Sequence, residues 1–217
     1  VFPIHNHSEY SALDGFGKPE EIAARIEQLG LPGCCLTDHG TVAGFAPFVK
    51  AMTERNLQYG LGIEAYQART SRKVTPEPYE KMVVNDITGK KQKRKVTPRD
   101  GAHLILLAKN DTGFKNLMRL SDEASRTGFY YHPRVDWELL EKYHEGIICT
   151  SACLAGLVAQ GIKEVWEPEA DNIEPFNTKA LSRYLDIFGD DFFLEMHTYS
   201  DPKQHIVNEH LVDIAQE

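Results

Sequence analysis

Short apolar runs alternate along the chain with stretches in which apolar positions recur at helical spacing. Phe2 to Asn6 is a short strand candidate. Lys18-Pro19-Glu20-Glu21 puts proline and acids where a first helical turn favours them. Ile22, Ile26 and Leu29 then supply one apolar face, and Gly30 stops the helix. Gly33 to Thr37 reads as a buried strand, Phe45, Phe48, Val49 and Met52 repeat at helical spacing, and Tyr59 to Ala65 is the next strand candidate. From Gln67 to Ala102 the rhythm breaks: prolines, many charges and the turn signals Asn85-Asp86 and Thr88-Gly89 mark an excursion, read as a hairpin. Leu104 to Ala108 resumes as a strand, and Asn110-Asp111-Thr112 caps a helix through about Ser125. Asp136 to Tyr143 is a short helix, Gly146 to Thr150 a strand, Phe176 to Phe188 a helix, Phe192 to Met196 a strand and Pro202 to Gln216 a final helix.

Serial alternation of strand and helix predicts an α/β fold with a parallel sheet, and the number of units suits a barrel. In such folds the active site lies at the C-terminal ends of the strands. Composition changes this picture little. The 217 residues are 41% apolar and 26% charged, which excludes a disordered, collagen-like or disulfide-stapled chain. The longest uncharged stretch, Gly146 to Ile162, is too short and polar to span a bilayer. Val1 is not followed by a basic-then-apolar leader, so no signal peptide is expected. Cys34, Cys35, Cys149 and Cys153 show no disulfide spacing, which predicts a reducing, cytoplasmic setting. The net charge of −8 makes the chain a poor non-specific binder of nucleic acid. The run Lys90-Lys91-Gln92-Lys93-Arg94-Lys95 is an exception, read as a solvated loop in preference to a DNA contact.

Chemistry gathers at the strand ends. His5-Asn6-His7 closes the first strand candidate, and alternation points both rings to one side. Asp14 follows on the next loop, Asp38-His39 closes the second strand, Glu64 the third, and Cys153 follows the fifth. His103 is awkward, because it starts its strand. Singly, each has a bland reading: a capping Asp, a paired Glu, a buried thiol, a core histidine. Recurrence of imidazole and carboxylate at successive strand ends is harder to obtain from packing alone. Mixed nitrogen, oxygen and sulfur donors suit zinc or manganese better than calcium.

His5-X-His7, Asp14, Thr37-Asp38-His39-Gly40 and Gly62-Ile63-Glu64 resemble the PHP (polymerase and histidinol phosphatase) superfamily. The text from His5 to Gly15, His103 to Asn110, Gly128 to Asp136, and Glu145-Gly146-Ile147-Ile148 with Ser151-Ala152-Cys153 is similar to the PHP domains of bacterial replicative DNA polymerase III alpha subunits. The resemblance implies a distorted barrel of seven βα units, here lacking the last strand, with residues 1–217 as one PHP domain and a basic insertion at about 67–102. It implies two to three divalent ions (zinc, manganese or iron). Their matched ligands, acting in catalysis through the metals, are His5, His7, Asp14, His39, Glu64, His103 and Cys153. Two further family ligands belong to an Asn-Asp-X-His-Tyr motif on a seventh strand, which would follow Glu217, so the 217 residues alone are expected to bind metal weakly and hydrolyse little. Asp38 is expected behind the ligands, orienting His39 or neighbouring backbone, and Arg134 and Lys109 as phosphate contacts. His132, His144, His197, His205 and His210 match no ligand position, although His197 closes the sixth strand candidate.

The implied activity is metal-dependent phosphodiester hydrolysis, and with a complete ligand set 3′→5′ exonuclease proofreading during DNA replication. The implied partners are a single-stranded DNA 3′ end, the rest of a polymerase chain and, through it, sliding clamp and replisome subunits. Two alternatives stand beside this. One is a scaffold without metal chemistry that supports the polymerase or docks a separate exonuclease. The other is a free-standing small-molecule phosphatase, which the Gly128–Asp136 and Ser151–Gly156 segments fit less well.

Overall fold

The computed structural model describes residues 1–12, 14–84, 89–162 and 179–216. In chain order the elements are α1 (Pro19–Gln28), β1 (Gly33–Leu36), α2 (Phe45–Glu54), β2 (Gln58–Gln67), β3 (Tyr79–Val84), β4 (Lys91–Val96), β5 (Ala102–Ala108) and α3 (Asp111–Thr127). There follow β6 (Arg134–Val135), α4 (Trp137–Tyr143), β7 (Ile147–Thr150), α5 (Leu157–Gln160), α6 (Lys179–Phe188), β8 (Phe192–Phe193) and α7 (Pro202–Ile214). The expected start of α6 at Phe176 lies outside the described residues. No helix among the described residues is long and apolar enough to cross a membrane.

The sheet runs β1-β2-β5-β7-β8, with β6 pairing with β2, and β3 and β4 form a separate two-stranded ladder, the expected hairpin. The fold is α/β, but the parallel sheet predicted from the alternation is corrected to a mixed one. β1 and β8 run parallel to β2 and β7, whereas β5 is antiparallel to both β2 and β7. The cause is the excursion. Among the described residues no helix separates β2 from β5, so no crossover returns the chain to its starting end, and β5 enters at the rim where β2 leaves.

Helix caps follow local chemistry. Asn110 accepts from the Gly113 amide at 3.0 Å at the start of α3, and Asp136 accepts from the Leu139 amide at 3.2 Å at the start of α4. The core lies between sheet and helices. Ile26, Leu36, Phe48, Met52, Leu104 and Leu120 are all buried in one cluster.

Phe2 to Asn6 is extended but forms no ladder strand. It bonds to β1 at two points, Cys35 N to Pro3 O and Thr37 N to Asn6 O, both 2.8 Å. The offset leaves one residue unmatched, and Pro3 has no N–H to give. β8 is likewise shorter than Phe192–Met196, because the Glu195 amide donates to the Ser151 hydroxyl (2.8 Å) instead of to a neighbouring strand.

Candidate metal centre

The C-terminal ends of β1, β2 and β7 and the N-terminal end of reversed β5 share one rim, and Glu64 of β2 stands at its centre, 1% exposed. Its Oε2 lies 3.3 Å from His5 Nε2, 3.1 Å from His7 Nε2 and 2.9 Å from His39 Nε2, and its Oε1 lies 2.8 Å from His103 Nδ1. Cys153 Sγ is 3.8 Å from Glu64 Oε1 and 3.5 Å from His103 Nδ1. Asp14, half-exposed, joins through His39, whose Nε2 is 2.6 Å from Asp14 Oδ2. All seven side chains expected from the sequence therefore meet in one cluster. The reversal of β5 explains the awkward one: the start of that strand is the active rim, so His103 is placed where a strand end was expected.

Backbone devices aim these groups. Gly40, at φ +62°, turns the chain just after His39, and its amide bonds to Glu64 O at 2.9 Å. Asp38 is buried. It accepts from the Ser8 amide (2.6 Å) and the Ser8 hydroxyl (2.8 Å), and so pins the backbone beside His7 rather than His39 itself. Gly44 allows this, since a Cβ there would come within 2.5 Å of Asp38 Oδ2. Ser11, which the sequence did not single out, accepts from the His39 amide at 3.0 Å and contacts His7 Nδ1 at 3.4 Å.

Two further residues belong here. The Glu195 carboxylate, buried at 8% exposure, lies 2.6 Å from His5 Nδ1 and 3.1 Å from His197 Nε2, and also takes the Thr150 hydroxyl. The signal was present: Glu195-Met196-His197 repeats at a strand end the alternate spacing of His5-Asn6-His7.

The electrostatics are those of one anion ringed by imidazoles. Burial opposes charge on Glu64, yet the surrounding imidazoles hold its carboxyl far below the ordinary range. Burial also opposes charge on His5, but its bonds to Glu195 and Glu64 raise it to about 10, and His103 rises to about 9 against burial through Cys153 and Glu64. Burial pushes Glu195 up, and His197 and His5 more than reverse this, to about 2.

The donor set fits divalent cations. The groups His5/His7/Glu64, His7/Asp14/His39, His39/Glu64/His103 and His5/Glu195/His197 each bring three ligand atoms within 4.8 Å of one another. His39 Nδ1 is buried without a hydrogen-bond partner. A cavity of about 330 Å³ opens on Asp14, His39 and His103, with Arg99, Tyr130 and His132 on its wall.

The structure corrects both phosphate contacts expected from the sequence. Arg134 is 2% exposed. Its guanidinium bonds to Asp100 (3.0 Å) and to the carbonyls of Gly128, Arg72 and Val74, so it is a buried structural strut with four of its five N–H groups committed inside the protein. Lys109 follows the far end of β5, opposite the rim of His103, and ion-pairs with Asp191 at 2.7 Å. Because Lys109 is half-exposed, Lys109→Ala is expected to shift stability by less than about 1 kcal/mol. Urea denaturation giving a larger loss would show that this pair braces the fold.

Comparison with known proteins agrees with the geometry. The PHP domain model matches residues 3–199. DNA polymerase III subunit alpha of Aquifex aeolicus is 36% identical over 215 residues, covering 98% of this chain and 17% of that protein. The same subunit of Borreliella burgdorferi is 38% identical over 214 residues, covering 99% of this chain and 17% of that protein. The chain thus spans about a sixth of the length of these relatives. A solved structure from Bifidobacterium adolescentis, provisionally described as a metal-dependent phosphoesterase, superposes with a TM-score of 0.52 at 15% identity, over 99% of this chain and 82% of that one. That likeness speaks for the fold alone, the barrel-like α/β arrangement. The match along nearly the whole chain and the convergence of its imidazole, carboxyl and thiol groups lead to one assignment: the chain belongs to the PHP domain family.

Proposed function

We propose that this chain is the PHP domain of a DNA polymerase III alpha subunit acting in DNA replication, and that its cluster hydrolyses phosphodiesters, removing nucleotides from a 3′ end. The observation that carries the reading is Glu64: four imidazoles and a thiol turn toward a single buried carboxylate. A scaffold without metal chemistry gains nothing from such a constellation, which leaves a carboxylate buried among groups that are each costly to desolvate.

His5, His7, Asp14, His39, Glu64, His103 and Cys153 would hold two to three divalent ions. Such ions polarise phosphate oxygens and make water acidic near neutral pH. The residues do the rest. Glu64, with both oxygens engaged by imidazoles on different elements, ties those elements together. Glu195 accepts from His5 Nδ1 and so would leave Nε2, the atom facing Glu64, free to give up its proton and ligate when a metal is bound. Asp38 fixes the backbone at Ser8 and thereby the aim of His7. Tyr66 stacks between His39 and His132, at 5.1 and 4.1 Å, and holds the His39 ring plane. The cavity beside Asp14, His39 and His103 is where a phosphate end would enter.

The test uses the chain continued through the seventh strand that the family resemblance implies, a 5′-labelled single-stranded oligonucleotide and manganese. Stepwise shortening from the 3′ end is expected, and His39→Ala abolishes it, since His39 Nε2 bridges Glu64 and Asp14. Shortening that continues in the variant removes His39 from the mechanism; a chain that never shortens the strand overturns the reading.

A further inference from the structure

The hairpin of β3 and β4 is strongly basic in an acidic chain. Between Tyr79 and Val96 the sequence carries Lys81, Lys90, Lys91, Lys93, Arg94 and Lys95 against Glu80 and Asp86, whereas the whole chain has a net charge of −8. β3 and β4 pair with each other and with no strand of the main sheet. Alternation puts Lys91, Lys93 and Lys95 on one face of this arm, opposite Val84, Met82 and Glu80. Glu80 reaches Lys93 at 3.0 Å, but both side chains are largely exposed, so one weak pair faces three lysines.

The arm is rooted at the metal cavity. Thr97 and Pro98 join Val96 to Arg99, a reach of about 10 Å at most. Arg99 lines the cavity with Asp14, His39 and His103. The Tyr130 hydroxyl, on the same wall, donates to Pro98 O at 3.4 Å and holds the root of the arm in place. No carboxylate among the described residues pairs with Arg99. Its guanidinium lies 5.5 Å from the centre of the Tyr131 ring. Tyr131 is 55% exposed and sits at φ +60°, a conformation that non-glycine residues adopt at a cost. The backbone is thus held so that Tyr130 and His132 line the cavity while Tyr131 is left in solvent.

We propose that the lysine face of the hairpin, Arg99 and Tyr131 form a track for single-stranded nucleic acid, which leads one end of the strand into the metal cavity. Lysines spaced along a ladder meet successive phosphates, and an exposed aromatic ring beside an arginine stacks an unpaired base. An anionic membrane is the less suitable polyanion, because the acidic remainder of the chain would be repelled by a broad negative surface. The track rests on the phosphodiesterase reading of the cavity.

The experiment measures binding of a fluorescein-labelled oligothymidylate by anisotropy, with EDTA present so that binding does not depend on metal. Charge reversal at K91E, K93E and K95E together is expected to weaken binding about tenfold or more and to make the salt dependence shallower by about 2 in log–log slope. Tyr131→Ala is expected to weaken it about tenfold. Should charge reversal disturb the circular dichroism spectrum, the triple glutamine variant replaces it, with the same expected change in slope. Affinity and slope equal to those of the unsubstituted chain overturn the track, as does binding of phosphatidylserine vesicles without binding of oligothymidylate. Hydrolysis of bis(p-nitrophenyl) phosphate in manganese by the unsubstituted chain continued through the seventh strand reports the metal chemistry separately. Its absence beside lysine-dependent binding removes the phosphodiesterase reading and leaves the track; its presence beside lysine-independent binding does the opposite.

Discussion

In Glu64→Gln the chain continued through the seventh strand retains no stoichiometric zinc, manganese or iron by elemental analysis, and phosphodiester hydrolysis is lost with the metal. The amide keeps the shape of the side chain but removes the charge on which His5, His7, His39 and His103 converge, and it turns one of the two donor oxygens into an N–H₂ group facing an imidazole. Glu195→Gln is the informative partner. Glu195 touches His5 at Nδ1, on the side away from Glu64, so its amide variant should keep the metal with affinity lowered roughly 10–100-fold. The graded pair separates a ligand from a residue that orients one. Undiminished metal in Glu64→Gln would remove this carboxylate from the centre, and with it the account of the site.

Arg134→Ala is expected to unfold the protein far more easily while touching none of the seven clustered side chains. The guanidinium is buried, and its loss leaves Oδ2 of the Asp100 carboxylate, 8% exposed, without its cation, together with the carbonyls of Gly128, Arg72 and Val74. Breaking a buried pair from one side costs about 3–5 kcal/mol. For a chain of this size that lowers the melting temperature by about 10 °C. Calorimetry on the metal-free chain reads this directly. A melting temperature within a degree or two of the unsubstituted protein would show that water satisfies Asp100 and that Arg134 is no strut.

How much of this was legible beforehand differs from residue to residue. His5, His7, Asp14, His39, Glu64 and Cys153 stand out in the sequence because donor types recurring at strand ends leave a trace in one dimension, whereas His103 enters only through the family resemblance; the structure brings all seven side chains together. Strand direction leaves none. β5 has the same apolar run whichever way it faces, and only the lack of a helix between β2 and β5 hinted that it runs backwards. Glu195 falls inside the strand that the pattern predicts over Phe192–Met196. The ladder in fact stops at Phe193, where the Ser151 hydroxyl takes the Glu195 amide and swings its carboxylate to His5. Arg134 is hard to place because exposed and buried arginines look alike in a sequence; what buries this one is a set of carbonyls contributed from two distant segments, Arg72 with Val74 and Gly128.

The reversed strand has a consequence for how such a domain changes over time. β2 departs and β5 arrives at the same rim, so whatever is spliced between them grows outward over the mouth of the cavity. Lengthening, shortening or recharging that segment alters what is admitted, while Glu64 and His103, locked in the ladder on either side, keep their spacing. Selectivity and chemistry can then drift independently, and the segment joining these two strands is the place to look for divergence in substrate among otherwise similar chains.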